Sequence, residues 1–120
     1  MKRLVFAAAV ALAPMAASAA DLSGDWTVNG NFDSMGVKYT LACTFAVDSA
    51  GKLTGPCKSD QGDVAATGTV SGTAVEFAYD TTYQGSPVHL DYKGAVQSDG
   101  SMSGTVDTGG PSGTFTATKK

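Results

Sequence analysis

The sequence predicts an all-β protein, an eight-stranded antiparallel up-and-down β-barrel that follows a signal peptide. Eight short segments alternate between apolar and polar residues with a period of two. Turn signals, most of them containing glycine, separate these segments, and no window after the signal peptide has helical periodicity. Eight strands in simple succession, the first able to pair with the last, close into a barrel without an exposed edge.

Residues 1–19 have the three parts of a secretory signal peptide. Lys2 and Arg3 form its positive n-region, residues 4–12 its apolar core, and residues 17–19, Ala-Ser-Ala, its cleavage site. The apolar run is too short to span a bilayer. We therefore expect a periplasmic or secreted bacterial protein.

Residues 20–120 are expected to form a single β-barrel domain with one modest core. Loss of the two positive charges of Lys2 and Arg3 changes the formal net charge from −3 to −5 and leaves no arginine. Nucleic-acid binding depends on Lys and Arg that neutralise phosphates. We therefore predict that this chain does not bind nucleic acid.

The turns fix the limits of the predicted strands. A hairpin pattern, V-x-x-x-G-x-(L/M)-x-G, occurs at 47–55 and again at 96–104, and its first glycine provides the positive φ of a bulged three-residue loop. Further turn signals are Ser71-Gly72 and Gln84-Gly85. The predicted strands lie near residues 22–30, 37–47, 52–58, 63–70, 74–83, 86–97, 101–108 and 112–119.

Alternation assigns each strand an inner and an outer face, because successive side chains point to opposite sides. In the second strand the odd-numbered residues from Val37 to Val47 are apolar or aromatic and face inward. The fifth and sixth strands place Glu76, His89 and Lys93 outside. An outer-membrane barrel would have an apolar outer belt, so we expect a barrel that is not membrane-embedded.

The two cysteines fall opposite each other in this register. If Val47 pairs with Leu53, then Cys43 faces Cys57 across the hairpin, and both point inward. A structural disulfide is the favoured interpretation in an exported chain. A catalytic or metal-binding pair is the alternative, but C-x-x-C is absent and no histidine converges on the pair. We predict no metal site and no cofactor.

Gly24-Asp25-Trp26 on the first strand, the meander of about eight strands and the terminal strand ending in Lys119-Lys120 resemble the calycin superfamily of lipocalins, avidins and bacterial relatives. The resemblance implies that Trp26 plugs the closed end, with Lys119 or Lys120 packed over it. Lipocalins usually have arginine there, are longer and end with a helix. Residues 22–26, Leu-Ser-Gly-Asp-Trp, together with the cysteine pair also resemble small periplasmic inhibitors of metalloproteases. In that family an N-terminal trunk ahead of this strand enters the protease cleft. Only Ala20 and Asp21 precede Leu22 here, so the trunk is missing and inhibition by that mode is not expected.

With Trp26 at the closed end, chain direction places the loops near 31–36, 58–63, 84–85 and 109–111 at an open mouth. All four tyrosines fall on inward positions, and a buried phenol needs a hydrogen-bond partner. A ligand provides it in one interpretation; in the other the hydroxyls bond one another in a filled barrel. The predicted ligand-binding residues are Phe32, Met35, Tyr39, Tyr79, Thr81, Tyr83 and Val88.

Two classes of function follow, and a structural or stress-related envelope barrel with no specific ligand is a third possibility. The first is a non-enzymatic barrel that binds a small apolar or aromatic ligand in its mouth, oriented by Tyr39 and Tyr83 with Tyr79 deeper. The second is a protein-binding barrel such as a periplasmic protease inhibitor. Catalysis is not expected, because the single histidine, His89, faces outward and no nucleophile is placed beside it by spacing.

Overall fold

The computed structural model describes residues 22–60 and 62–120, and the predicted signal peptide lies outside this range. A 3-10 turn at Asp33–Met35 joins the first two strands. No helix in the described part of the chain is long and apolar enough to cross a membrane. The strands are β1 (Gly24–Phe32), β2 (Val37–Val47), β3 (Lys52–Ser59), β4 (Gly62–Ser71), β5 (Ala74–Tyr83), β6 (Ser86–Val96), β7 (Met102–Asp107) and β8 (Ser112–Lys119).

These eight strands form one closed antiparallel barrel in sequence order. Each strand pairs with the next, and β1 pairs with β8 from Trp26 opposite Lys119 to Asn31 opposite Thr114. The predicted fold class, an all-β up-and-down barrel, is confirmed. Closure gives every strand two neighbours.

The predicted limits of β1 were wrong by two residues at each end. The strand was expected at 22–30 but spans Gly24–Phe32. Gly30 does not end it, because pairing with β2 continues from Gly30 opposite Tyr39 to Phe32 opposite Val37. Phe32 therefore lies on the barrel wall rather than in a loop.

The repeated hairpin pattern forms two matched turns at one end of the barrel. Asp48 N–H donates to the Lys52 carbonyl and Gly51 N–H to the Asp48 carbonyl; Gln97 and Gly100 make the same bonds to the Ser101 and Gln97 carbonyls. Gly51 and Gly100 have φ of 84° and 87°. Because non-glycine side chains rarely adopt this conformation, the pattern needs glycine at both positions.

The inner face holds a core of side chains in which aromatic rings occupy the middle. Phe77 stacks on Tyr92 with ring centroids 4.5 Å apart and planes 7° from parallel. Phe115 meets Tyr92 edge-on at 5.2 Å, and Phe45 packs against Phe77 at 5.3 Å. These four rings fill the barrel across its width, in the offset and edge-to-face contacts that aromatic pairs favour.

The cysteine register is confirmed. Val47 pairs with Leu53 and Cys43 with Cys57 between β2 and β3. The two cysteines form a disulfide and are buried on the inner face. Because the bond joins strands already paired, it reinforces the β2–β3 hairpin rather than linking distant parts of the barrel.

Trp26 lies inside the barrel with 1 % of its surface exposed. Its indole N–H donates to the carbonyl of Leu22 at 2.8 Å, so the buried donor is satisfied. Leu22, which precedes β1, is itself buried. The segment before β1 therefore folds over the tryptophan and covers this end of the core.

Candidate functional site

A cavity of about 420 Å³ opens at the end of the barrel opposite the matched turns. Its walls are the upper parts of β2, β5 and β6, and its rim includes the 3-10 turn and the loops around Asp60 and Pro111. Most of the surface is apolar, with Leu41 and Leu90 low on the wall. The barrel is therefore filled at one end and hollow at the other.

The structure brings all seven residues predicted as ligand-binding to this one cavity. They lie on the wall or rim at different depths: Tyr79 is buried, Thr81 and Val88 are half-buried, and Met35 is exposed. The full set is Phe32, Met35, Tyr39, Tyr79, Thr81, Tyr83 and Val88. What these side chains bind stays a prediction.

Three tyrosine hydroxyls form a chain at the base of the cavity. The Tyr92 hydroxyl lies 2.7 Å from that of Tyr39 and 2.6 Å from that of Tyr79. Tyr39 and Tyr79 line the cavity, whereas Tyr92 is completely buried with its ring in the aromatic core. The floor is thus a polar layer resting on stacked rings.

Tyr39 and Tyr83 line the same cavity at different depths. The Tyr39 hydroxyl bonds that of Tyr92 at the floor, and how Tyr39 and Tyr83 orient a ligand stays a prediction. Tyr83 is 36 % exposed, and its hydroxyl accepts a long bond, 3.5 Å, from the side-chain amide of its neighbour Gln84. The expectation that phenols bond one another therefore holds for three tyrosines, and the cavity lies above them.

Burial makes the three linked phenols harder to ionise. It is the largest cause that raises the pKa of Tyr39, Tyr79 and Tyr92 above the ordinary value of 10.0. Tyr92 is raised further because a phenolate there would face the neighbouring phenols. At physiological pH each hydroxyl therefore retains its proton and can donate a hydrogen bond.

Gly30, which sequence reasoning overlooked, makes the position of Tyr39 possible. The two residues lie opposite each other between β1 and β2. A Cβ at Gly30 would collide with the Tyr39 ring, so that ring lies directly over the glycine backbone. The signal was present in the sequence as a glycine inside a strand, which often marks a close approach of this kind.

The rim combines a fixed turn with exposed apolar side chains. Phe32 stacks on Tyr39 with centroids 6.1 Å apart, and Met35 in the 3-10 turn is 47 % exposed. The β5–β6 turn has positive φ at both Gln84 and Gly85, as a tight two-residue hairpin requires. This turn sets the position of Tyr83 beside the opening.

His89, the single histidine of the sequence, lies away from the cavity. His89 is on the outer face, where its Nδ1 lies 2.7 Å from Asp80 Oδ1 and both side chains are largely exposed. Across residues 22–60 and 62–120, no three His, Cys, Asp or Glu side chains come together to hold a metal ion. The cavity presents phenols, threonines and apolar surface, with the charged Lys38 and Asp60 exposed at its edge.

No known family model matches this chain, and no curated protein is similar to it in sequence.

Proposed function

We propose that this protein binds a small, mostly apolar molecule in the cavity at the open end of its barrel and does not convert it chemically. The cavity of about 420 Å³ is the observation that carries the proposal. A concave, largely apolar pocket with a few placed polar groups is the usual form of a small-molecule site.

The absence of catalysis is part of the proposal. Acyl or group transfer needs an activated nucleophile beside a general base. Cys43 and Cys57 are joined as a disulfide, and His89 faces outward next to Asp80. The phenols at the cavity floor have raised pKa values, so they stay protonated at neutral pH and cannot act as general bases.

We also propose that the barrel is a calycin and acts in the periplasm or outside the cell. Its closed eight-stranded meander is compatible with that fold. Lys119 lies opposite Trp26, and its side chain lies against Gly24, which fits a basic residue beside the tryptophan. The disulfide favours an oxidising compartment.

The test is binding of N-phenyl-1-naphthylamine, an apolar dye whose emission rises when it leaves water. We expect saturable binding to the wild-type protein. Val88→Trp places an indole on the inner wall opposite Thr81 and should abolish binding by filling the cavity. His89→Trp, one residue along the same strand, places the indole outside and should leave binding unchanged.

Equal loss in both variants would point to general destabilisation, so thermal unfolding of each is measured alongside. If the dye and a broader panel of apolar compounds fail to bind the folded wild-type protein, the proposal is wrong. Binding that survives Val88→Trp would place the ligand elsewhere and would also contradict it.

A protein partner is the second candidate function, and one observation favours it. Within the described residues, the exposed large hydrophobic side chains are Met35 and Tyr83, and both lie at the rim. Apolar side chains grouped at one end of a barrel suit contact with another protein. Inhibition of a secreted metalloprotease that is lost in Met35→Ser with Tyr83→Ser, but not in His89→Trp, would support this function.

A further inference from the structure

The three hydroxyls at the cavity floor carry one more donor proton than their two mutual hydrogen bonds require. Three phenols carry three donor protons, and each oxygen can also accept. Two contacts, Tyr39 with Tyr92 and Tyr92 with Tyr79, take two of those protons. Within the described residues these hydroxyls have no other hydrogen-bond partner, so one donor is left over.

The spare proton belongs to an end of the chain. If both outer phenols donated to Tyr92, the proton of Tyr92 would be buried without an acceptor, because Tyr92 has no exposed surface. Leaving a buried donor unsatisfied is costly. Donation in one direction along the chain also strengthens each bond in turn. The spare donor is therefore on Tyr39 or Tyr79, and both line the cavity.

The surroundings of this donor limit what can accept its proton. The wall near the floor is formed by Leu41 and Leu90, and the charged residues that line the cavity, Lys38 and Asp60, are exposed. A carboxylate carried to the floor would lose its hydration without a cation to compensate, which is expensive. A neutral acceptor needs only the one hydrogen bond.

We propose that the Tyr39–Tyr92–Tyr79 chain donates one hydrogen bond to a neutral carbonyl oxygen at the buried end of an otherwise apolar ligand. This inference rests on the proposed function and narrows it from apolar molecules in general to apolar ketones, aldehydes, esters or quinones. Either outer phenol can donate, because reversing the direction of the chain moves the spare proton from one end to the other.

The experiment compares three probes of similar shape: 2-acetylnaphthalene, 2-isopropenylnaphthalene, in which CH₂ replaces the carbonyl oxygen, and 2-naphthoate. Affinities are measured by calorimetry for wild type, Tyr39→Phe, Tyr79→Phe and the double variant, with His89→Gln as a control on the outer face. We expect the double variant to weaken binding of the ketone about fivefold to tenfold, the usual effect of one hydrogen bond. Binding of the alkene should not weaken.

The single variants identify the donor: the one that removes the phenol in contact with the ketone should reproduce the effect of the double variant. Infrared spectroscopy gives a second measurement that needs no variant. In the wild-type complex the carbonyl stretch of the ketone should shift to lower frequency than in alkane solvent. This keeps the inference testable if the double variant does not fold.

Three outcomes would overturn the inference. If the double variant weakens binding of the ketone and the alkene equally, or weakens neither, the hydroxyls do not donate to the carbonyl. The proposed binding function would then still stand. Tightest binding of 2-naphthoate would show that the floor prefers an anion. If none of the three probes binds the wild-type protein, the proposed function is contradicted together with the inference.

Discussion

The two ends of the barrel share the same strands and the same alternation, yet one is filled and the other is hollow. Towards the matched turns, the inward side chains Leu53, Val75 and Met102 are each at most 1 % exposed. Towards the opening, Thr81 and Val88 face each other across β5 and β6 and remain half-buried. Between the two lie the aromatic core and its layer of hydroxyls.

The difference shows that closure of the sheet does not decide whether an eight-stranded barrel holds a cavity. Eight strands enclose a space that side chains can just fill. At one end the inward aliphatic and aromatic side chains fill this space, whereas at the other Thr81 and Val88 on the wall and the exposed Met35 and Tyr83 at the rim leave it open. The boundary is Tyr92, whose ring belongs to the filled end and whose hydroxyl belongs to the hollow end.

The largest expected effect on stability comes from removing the Trp26 side chain from the filled end. Trp26→Ala should lower the free energy of unfolding by about 3–5 kcal/mol, because it leaves a large cavity in a packed core. It also removes the donor that bonds the Leu22 carbonyl. Chemical denaturation measures the loss, with Trp26→Phe as a milder control. A change below about 1 kcal/mol would show that the tryptophan is not part of a packed core.

Opening the disulfide should have the next largest effect. Replacing Cys43 and Cys57 together by alanine should cost about 2–3 kcal/mol, because the bond closes a loop of about 15 residues in the unfolded chain. The strands stay paired, so the cavity and its dye binding should persist in the folded fraction. Two free thiols in folded protein from an oxidising compartment would contradict the disulfide.

The hydroxyl layer between the two ends predicts a loss of stability at alkaline pH. The pKa values of Tyr39, Tyr79 and Tyr92 are raised above 10.0, so the folded state keeps protons that the unfolded chain releases. The contribution of these tyrosines to the free energy of unfolding is fully present below pH 10.0, and it is lost as the pH rises towards their folded-state pKa values. In this range the free energy of unfolding falls by about 1.4 kcal/mol per pH unit for each tyrosine that stays protonated in the folded state only.

Denaturation at stepped pH measures this slope. Tyr92→Phe should make it shallower, because one of the titrating groups is removed. A wild-type stability that stays constant as the pH passes through this range would show that the phenols are solvated and that the hydroxyls do not form a buried layer.

The smallest expected effect is at the rim. Tyr83→Phe should change the affinity for 2-acetylnaphthalene by less than about 0.5 kcal/mol, because the one acceptor of this ligand is expected at the floor and the Tyr83 hydroxyl lies near solvent. Thermal stability should not change, since the ring is kept. Titration with 2-acetylnaphthalene measures the difference. A loss larger than that in the Tyr39→Phe, Tyr79→Phe double variant would move the main polar contact from the floor to the rim.

Most of the fold could be predicted from the sequence because its signals are local. Alternation fixes which side chains face inward, and glycine turns fix where strands end, so β2, β5 and β8 have the predicted limits. The disulfide followed from counting residues across one hairpin. The grouping of the seven cavity residues could be predicted because chain direction decides which loops lie at the same end of the barrel.

The hydroxyl chain could not be predicted because it depends on the stagger of the whole barrel. Tyr39 on β2 and Tyr92 on β6 are 53 residues apart and belong to strands that do not pair. Which levels of two such strands meet across the interior depends on the accumulated shear of every intervening pair. The register of one hairpin does not give this accumulated shear.

The seam between β1 and β8 also bears on when the barrel can form during synthesis. It joins the first and last strands, from Trp26 with Lys119 to Asn31 with Thr114, so its contacts are the most distant in the chain. Such contacts form late, because the loop they close is long. Until β8 has been synthesised, β1 and β7 each present an unpaired edge that can recruit another strand. Premature termination before Ser112 would therefore leave an aggregation-prone open sheet rather than a smaller barrel.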